Sequence, residues 1–385
     1  MNKLNYLYKE YNELFIMNNS ILLKNIEKKL LLKELEIIIF DDEKKKLHIV
    51  FKNYVKNLIQ HKDLIENNLK EWNNLKKYVN PYELIYSPNT KTNVSNYQPV
   101  SRSFFKLWEM INKFKLLDNS KRNVISNIAE GPGGFIECIL KFQSDNLIFS
   151  TTLYPSNKDI PSWTKLNKKI EICKVKNLNL LYHNIYNYDD YLKYIENFKE
   201  NKADFITADG GFDYSIDFNR QEEMSYRIIF SEIIIALSIQ KLGGNFVLKI
   251  FDIFTIFTLK YIYLLYLFYD EVHIYKPLTS RVANSEKYII CKNFKGVDDN
   301  VMANLIDLYK KFELYENKNI DIENLLLPNN FILAINGFNE NYVKNQISFI
   351  DKTLNIIENK SNIGYLIDEQ IVNAEKWCEI YNFKL

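Results

Sequence analysis

"NVISNIAEGPGGFIECILKF" (residues 123–142) runs from an apolar, β-branched segment through Gly131, Pro132, Gly133 and Gly134 into a segment whose apolar residues fall at helical spacing. A strand that passes through a glycine-rich turn into a helix is the opening unit of a parallel α/β sheet. The loop after such a first strand opens at the carboxyl edge of the sheet, where ligands bind, and glycine lets the backbone come close to them. The turn lacks the G-K-[ST] of a phosphate-binding loop, and "GPGG" departs from the G-x-G-x-x-G dinucleotide fingerprint. Taken alone, it also reads as a tight strand-to-helix turn packed for structural reasons.

Strand-like runs follow at "NLIFSTTL" (146–153), "ADFITADG" (203–210), "GNFVLKIF" (244–251), "EVHIYKP" (271–277) and "KYIICKNF" (287–294), with helical patterns from about 219 to 242 and over 254–268. Near-continuous apolar strands separated by helices predict an α/β fold with a mostly parallel, doubly wound sheet covered on both faces. Upstream, "SPNTKTNVSNYQPVS" (87–101) reads as a loop or linker. Residues 1–80 carry helical spacing, as in "IEKKLLLKELEIIIF" (26–40), broken by the charged turn "DDEKKK" (41–46). Beyond about 297 the pattern returns to helices. The expected organisation is a helical N-terminal region and linker over 1–95, the α/β domain over 96–296 and a helical C-terminal region over 297–385.

At 385 residues, 47% hydrophobic and 25% charged, the chain can bury a large core. Fifty Lys and Arg against 48 Asp and Glu leave a net charge of +2, so an anionic partner has to be met by a local patch. Cys138, Cys173, Cys291 and Cys378 form no C-x-x-C pair, and His48, His61, His183 and His273 are scattered. That spacing argues against a zinc site and a disulfide framework, and no metal is expected. The N-terminus alternates polar and apolar residues too often for a signal peptide. "IFTIFTLKYIYLLYLFY" (253–269), interrupted by Lys260, is short for a membrane span and predicts a buried helix. A cytoplasmic protein with no membrane partner is expected.

Four charged residues stand out. "ADFITADGGFDYS" sets Asp209 at the end of a strand before Gly210 and Gly211, and "GGNFVLKIFD" sets Lys249 inside an apolar strand, where an unpaired ammonium is costly. "SRVANSEKYIICKNF" places Glu286 at the start of a further strand, and "SRSFFKLWEMINKF" reads as a helix with Lys106 one turn after Arg102. Each has a bland reading: a strand-end Asp caps the next helix, a strand Lys lies at a solvated edge, Glu286 and Lys106 are surface charges. Together, two lysines and two carboxylates, three of them at or near strand ends of one sheet, can meet in the cleft beside the glycine loop.

"AEGPGGF" (129–135), "ADGG" (208–211), "GGNFVLKIFD" (243–252) and "SRVANSEKYIIC" (280–291), in this order, resemble the FtsJ-like ribose 2′-O-methyltransferases, and "SRSFFKLWE" (101–109) resembles the family's helix carrying its first catalytic lysine. "NPYELIY" (80–86) and "DFNRQEE" (217–223) look most like mRNA cap methyltransferases of large cytoplasmic DNA viruses. The resemblance covers about residues 80–295. It implies a Rossmann-like S-adenosylmethionine-dependent methyltransferase fold with helical N- and C-terminal extensions. It places a catalytic tetrad on Lys106, Asp209, Lys249 and Glu286, and the S-adenosyl-L-methionine loop on Glu130, Gly131, Pro132, Gly133, Gly134 and Phe135. Two cofactor contacts depart from the usual pattern: "STTLYPS" offers Thr151, Thr152 and Ser156 in place of an acidic residue after the second strand, and "YHNIYNY" offers Asn184 where relatives carry an Asp. Asp209 is expected at the cofactor as well as at the reaction.

The implied reaction is methylation of the ribose 2′-hydroxyl of the first transcribed nucleotide of capped mRNA, with other capping enzymes as candidate partners and the host cytoplasm or a virion as the place. The alternatives are a ribosomal or other RNA ribose methyltransferase, and a catalytically inactive module that binds RNA or a capping partner. The oligomeric state is left open. In "DFNRQEE", Asn219 reads as a helix cap with Glu222 in the capping-box position, or as a substrate contact. Trp72, Tyr82 and Trp163 are stacking candidates no more distinctive than core residues.

Overall fold

The computed structural model describes residues 19–24, 37–40, 49–88, 90–173, 175–211, 218–314, 319–322, 325–359 and 363–384. In chain order the strands are β1 (Ser20–Leu23), β2 (Ile37–Phe40), β3 (Val124–Ile128), β4 (Leu147–Thr152), β5 (Leu178–Tyr182), β6 (Ala203–Ala208), β7 (Gln240–Ile250), β8 (Tyr269–Tyr275), β9 (Lys287–Phe294) and β10 (Asn319–Ile322). The helices are α1 (Lys52–Glu66), α2 (Leu69–Val79), α3 (Ser103–Phe114), α4 (Gly134–Phe142), α5 (Thr164–Cys173), α6 (Tyr188–Glu196), the single turn α7 (Gln221–Met224), α8 (Tyr226–Ile239), α9 (Ile256–Phe268), α10 (Asp299–Leu314), α11 (Asn329–Asn359) and α12 (Gly364–Ile380).

The main sheet has eight strands in the order β1-β8-β9-β7-β6-β3-β4-β5. The run from β5 to β7 is parallel, while β9, β8 and β1 add antiparallel pairings at the other side. Strand order reverses at β3, whose neighbours are β4 on one side and β6 on the other, so a crevice opens between the carboxyl ends of β3 and β6.

Period-two alternation assigns each strand residue to a face. Phe205, Val247 and Ile290 bury against α3, α4 and α12, together with Phe104, Phe135 and Trp377. Ile206, Phe246, Leu248 and Ile289 bury on the opposite face with residues of α6, α8, α9, α10 and α11. Both faces are covered, which is why the strands read as continuous apolar runs rather than alternating ones. The segment over 253–269 is α9, buried throughout from Phe257 to Phe268, and no helix among the described residues is long and apolar enough to cross a membrane.

Some element boundaries differ from expectation. In the N-terminal region, Ile37–Phe40 is a strand paired with β10 and Ser20–Leu23 is a strand paired with β8; long-range pairing overrides the helical spacing there. Residues 26–36 and the turn 41–46 lie outside the described residues. The helix expected from about 219 to 242 is the short turn α7 followed by α8, because Gln240 already belongs to β7 and residues 218–220 form a tighter 3₁₀ turn. The segment 178–182, which is not among the strand-like runs named above, is the edge strand β5.

Candidate active site

Face assignment carries three of the four charged residues to one place. Lys249 has the parity of Val247, and Glu286 that of Tyr288 and Ile290, so both belong to the α3 side of the sheet; register sets Lys249 directly opposite Tyr288. Asp209 ends β6 beside them, with its N–H donating to Ile128 O. Helix α3 packs over this face and presents Lys106 from its first turn.

Two ion pairs result. Lys106 Nζ lies 2.6 Å from Glu286 Oε1 and donates at 2.9 Å to Oε2. Lys249 Nζ donates to the Asp209 carbonyl at 2.6 Å and lies 3.3 Å from Asp209 Oδ1. The Tyr288 hydroxyl joins them, 3.1 Å from Asp209 Oδ1 and 3.3 Å from Glu286 Oε1. Sequence reasoning missed Tyr288; its signal is the period-two spacing from Glu286, which places the two on one side of a strand. Burial alone raises the Glu286 carboxyl, but the ammonium groups of Lys106, Lys249 and Lys276 outweigh it and bring it down to about 2. The Lys106 and Lys249 side chains keep 15% and 12% of their surface exposed, so neither is sealed from solvent. Gly211 keeps this approach open, since a β-carbon there would lie 3.1 Å from Lys249 Nζ.

The glycine turn stands at the switch crevice. Ala129 leaves β3 with φ of +53°, and the Gly131–Pro132 peptide is cis. Glu130 is buried, accepting the Phe135 N–H at 2.8 Å through Oε1, while Oε2 is a buried oxygen with no hydrogen-bond partner. Burial first, then the Asp209 charge, raise its carboxyl well above the usual range. An orphaned acceptor of this kind fits the α-ammonium of S-adenosylmethionine, so the donor set at this turn suits that cofactor. Thr152, at the end of β4, is buried, and a β-carbon at Gly131 would sit 3.1 Å from its Oγ1 and 2.7 Å from Pro161 O. Asn184 ends up exposed after β5, its Oδ1 accepting the Tyr186 N–H, so its side chain closes a turn. Gly133 has φ of +104° and packs on α5, where a β-carbon would meet Leu166 Cδ2 at 2.5 Å. Its need for glycine comes from that conformation and contact as much as from any ligand. Gly134 and Phe135 are buried at the start of α4.

The capping-box reading of Glu222 is corrected. Its carboxylate accepts from Phe254 N, Thr255 N and Thr255 Oγ1 and so caps α9, the helix after the Lys249 strand, rather than its own. Burial raises that carboxyl to about 7. Asp217 lies outside the described residues. Trp72, Tyr82 and Trp163 are all buried, and Trp163 Nε1 donates to Glu130 O at 2.8 Å, which makes them core residues and not stacking surfaces. In "NPYELIY", buried Glu83 holds Arg102 at 3.2 Å and Arg281 at 2.6 Å, tying the start of α3 to the loop before Glu286.

The family described as FtsJ-like methyltransferase matches residues 99–294, just over half of the chain. The mouse (Mus musculus) protein "Cap-specific mRNA (nucleoside-2'-O-)-methyltransferase 1" is 32% identical over 156 residues, covering 40% of this chain and 18% of that protein. The Drosophila melanogaster protein "Cap-specific mRNA (nucleoside-2'-O-)-methyltransferase 2" is 29% identical over 214 residues, covering 51% of this chain and 30% of that protein. The chain thus spans less than a third of the length of either relative. Among solved structures, a ribosomal RNA methyltransferase of Plasmodium falciparum aligns with a TM-score of 0.40 and 22% identity over 51% of this chain and 99% of its own. The matched span opens just ahead of α3 and closes with β9, and so takes in both ion pairs and the glycine turn: the chain belongs to the FtsJ-like methyltransferase family.

Proposed function

We propose that the protein transfers a methyl group from S-adenosylmethionine to the ribose 2′-hydroxyl of the first transcribed nucleotide of capped mRNA. The observation that carries this reading is the paired arrangement of Lys106–Glu286 and Lys249–Asp209 around Tyr288, beside a glycine turn at the switch crevice. The names of the mouse and fly relatives support capped RNA as the substrate. The viral likeness of "NPYELIY" and "DFNRQEE" supports the same substrate and, on that ground alone, a cytoplasmic place of action. The reading also admits other capping enzymes as partners.

When bound, the cofactor supplies a methyl already activated on a sulfonium, so the protein's task is to align a poor nucleophile and remove one proton. Lys106, fixed on Glu286, and Lys249, fixed on Asp209, hold the hydroxyl from two directions. Lys249 is the group placed to take its proton: once its ammonium has given a proton to solvent, the amine accepts the hydroxyl proton, and the neighbouring carboxylates stabilise the ammonium that is restored. Glu286, brought down to about 2, stays ionised across the working pH range and keeps Lys106 in place.

The test is single-turnover methyl transfer to capped and uncapped RNA of one sequence, with cofactor affinity measured in parallel. Lys249→Ala is expected to lower the rate by at least a thousandfold with cofactor affinity within about twofold, and Lys249→Arg to fail almost as badly, because a guanidinium stays protonated. Uncapped RNA is expected to react far more slowly. Equal rates on the two RNAs would move the protein to the ribosomal or general RNA class, and an active, folded Ala variant would remove Lys249 from the chemistry.

A further inference from the structure

Helix α11 lies wholly outside the matched span 99–294, yet one of its faces touches the two backbone segments that carry Lys249 and Glu286. Asn339, Tyr342 and Gln346, three and four residues apart, share that face. Asn339 Nδ2 donates to Ile253 O at 2.7 Å, in the loop that follows β7. The Tyr342 hydroxyl donates to Asn284 O, and Gln346 Nε2 to Ala283 O at 2.8 Å, both just ahead of Glu286.

Buried lysines grip the same two segments from the sheet side. Lys276 Nζ donates to Asn284 O at 2.6 Å and to Glu286 O at 2.8 Å. Lys287 Nζ donates to Phe251 O at 3.0 Å and to Ser285 O at 2.8 Å, pairs with Asp252 Oδ1 at 3.1 Å, and lies 3.7 Å from the centre of the Tyr342 ring. The loop after Lys249 and the loop before Glu286 are therefore crosslinked to each other, and α11 closes the crosslink from outside.

The ordinary alternative is that these are polar core residues satisfied by convenient carbonyls. Two facts weigh against it. Asn339 and Gln346 have no exposed surface, and their amide oxygens, Oδ1 and Oε1, are buried with no hydrogen-bond partner. A helix face chosen for stability alone would carry apolar side chains at those positions, since a buried amide left half satisfied is destabilising. All three donors, moreover, end on one or other of the same two loops.

We propose that α11 is a working part of the active site: Asn339, Tyr342 and Gln346 are positioning residues that set the spacing between Lys249 and Glu286. This rests on the methyl-transfer reading above for its effect on rate, though not for the crosslink itself.

Tyr342→Phe and Gln346→Met remove a donor while keeping shape. Two measurements on the full chain decide the matter: amide hydrogen exchange over residues 283–287, and single-turnover methyl transfer to saturating capped RNA, with cofactor affinity and thermal unfolding alongside. Each variant is expected to exchange faster over 283–287 and to react about tenfold more slowly. Cofactor affinity should stay within about twofold, and the Gln346→Met unfolding temperature should be unchanged or raised, because an unpaired amide oxygen is gone. A purely structural role would instead lower stability and leave the rate of the folded protein alone. A rate within twofold of wild type in both variants, or unchanged exchange over 283–287, overturns the proposal. If the wild type transfers nothing to capped RNA, the function reading falls, and exchange alone then decides whether the crosslink exists.

Discussion

Glu232, on α8, sits with no exposed surface beneath the Asp209 turn and accepts the Gly210 N–H at 2.9 Å. Burial raises its carboxyl from an ordinary 4.5 to about 8, with the Lys249 ammonium opposing that rise. An acid whose folded pKa is raised stabilises the fold fully below its unfolded value, and that contribution is lost as pH rises toward the folded value. Here the window runs from 4.5 to about 8. Glu232→Gln keeps the acceptor for Gly210 and cannot ionise, so wild type is expected to lose about 3 kcal/mol relative to this variant between pH 6 and 9. Denaturant unfolding of both proteins across that range checks it, and parallel curves would show that Glu232 is not protonated in the fold. At this scale the sequence was informative where a residue contradicted its surroundings. Lys249 in an apolar strand announced itself, whereas Tyr288 looked like any strand aromatic, and Glu222 revealed its true partners only once two distant segments were brought together.

Contacts between elements explain Gly134 better than the cofactor does. A β-carbon there would stand 2.1 Å from Ser103 Oγ, 3.0 Å from Ser101 Cβ and 3.2 Å from Phe104 N, so this glycine lets α4 start against the start of α3. Because α3 carries Lys106, the spacing of the glycine turn and the tetrad are one quantity. Gly134→Ala is expected to destabilise the protein by about 1–3 kcal/mol, the usual range for overpacking, and to slow methyl transfer. Adding Ser103→Ala removes the nearest clash and should recover at least half of both losses, measured by denaturation and single-turnover rate; no recovery would give Gly134 some other task. The long strands of the sheet were legible because both their faces are buried. β5, an edge strand that is only half buried, and the four-residue strands β1 and β2 were not, since nothing local in "SILL" or "IIIF" names a partner in β8 or β10.

At the scale of the molecule, the flanking regions are built into the same cores as the sheet. Trp377 of α12 is fully buried, with its ring 5.8 Å from that of Phe105 and its Nε1 donating at 3.0 Å to Glu109. Glu109 also accepts the Tyr275 hydroxyl and the N–H groups of Leu278 and Thr279, so one buried carboxylate ties α12, α3 and the loop after β8 together. Trp377→Ala is expected to cost about 3–5 kcal/mol, with Trp377→Phe losing less, in equilibrium unfolding by denaturant. A change below about 1 kcal/mol for the Ala variant would mean that α12 is only loosely docked. The sequence marked these regions as helical without saying what they cover, because periodicity gives a helix its buried face and not the surface that face meets.

The edge pairing of β1 with β8 also has a consequence in time. Ser20 lies opposite Tyr275. At a synthesis rate of roughly 5–20 residues per second, the first strand emerges from the ribosome about ten to fifty seconds before its partner exists. During that interval its unpaired backbone is open to any other extended chain nearby. Closing the sheet at this edge is therefore a late event in the birth of each molecule, whatever the order in which the parallel strands assemble.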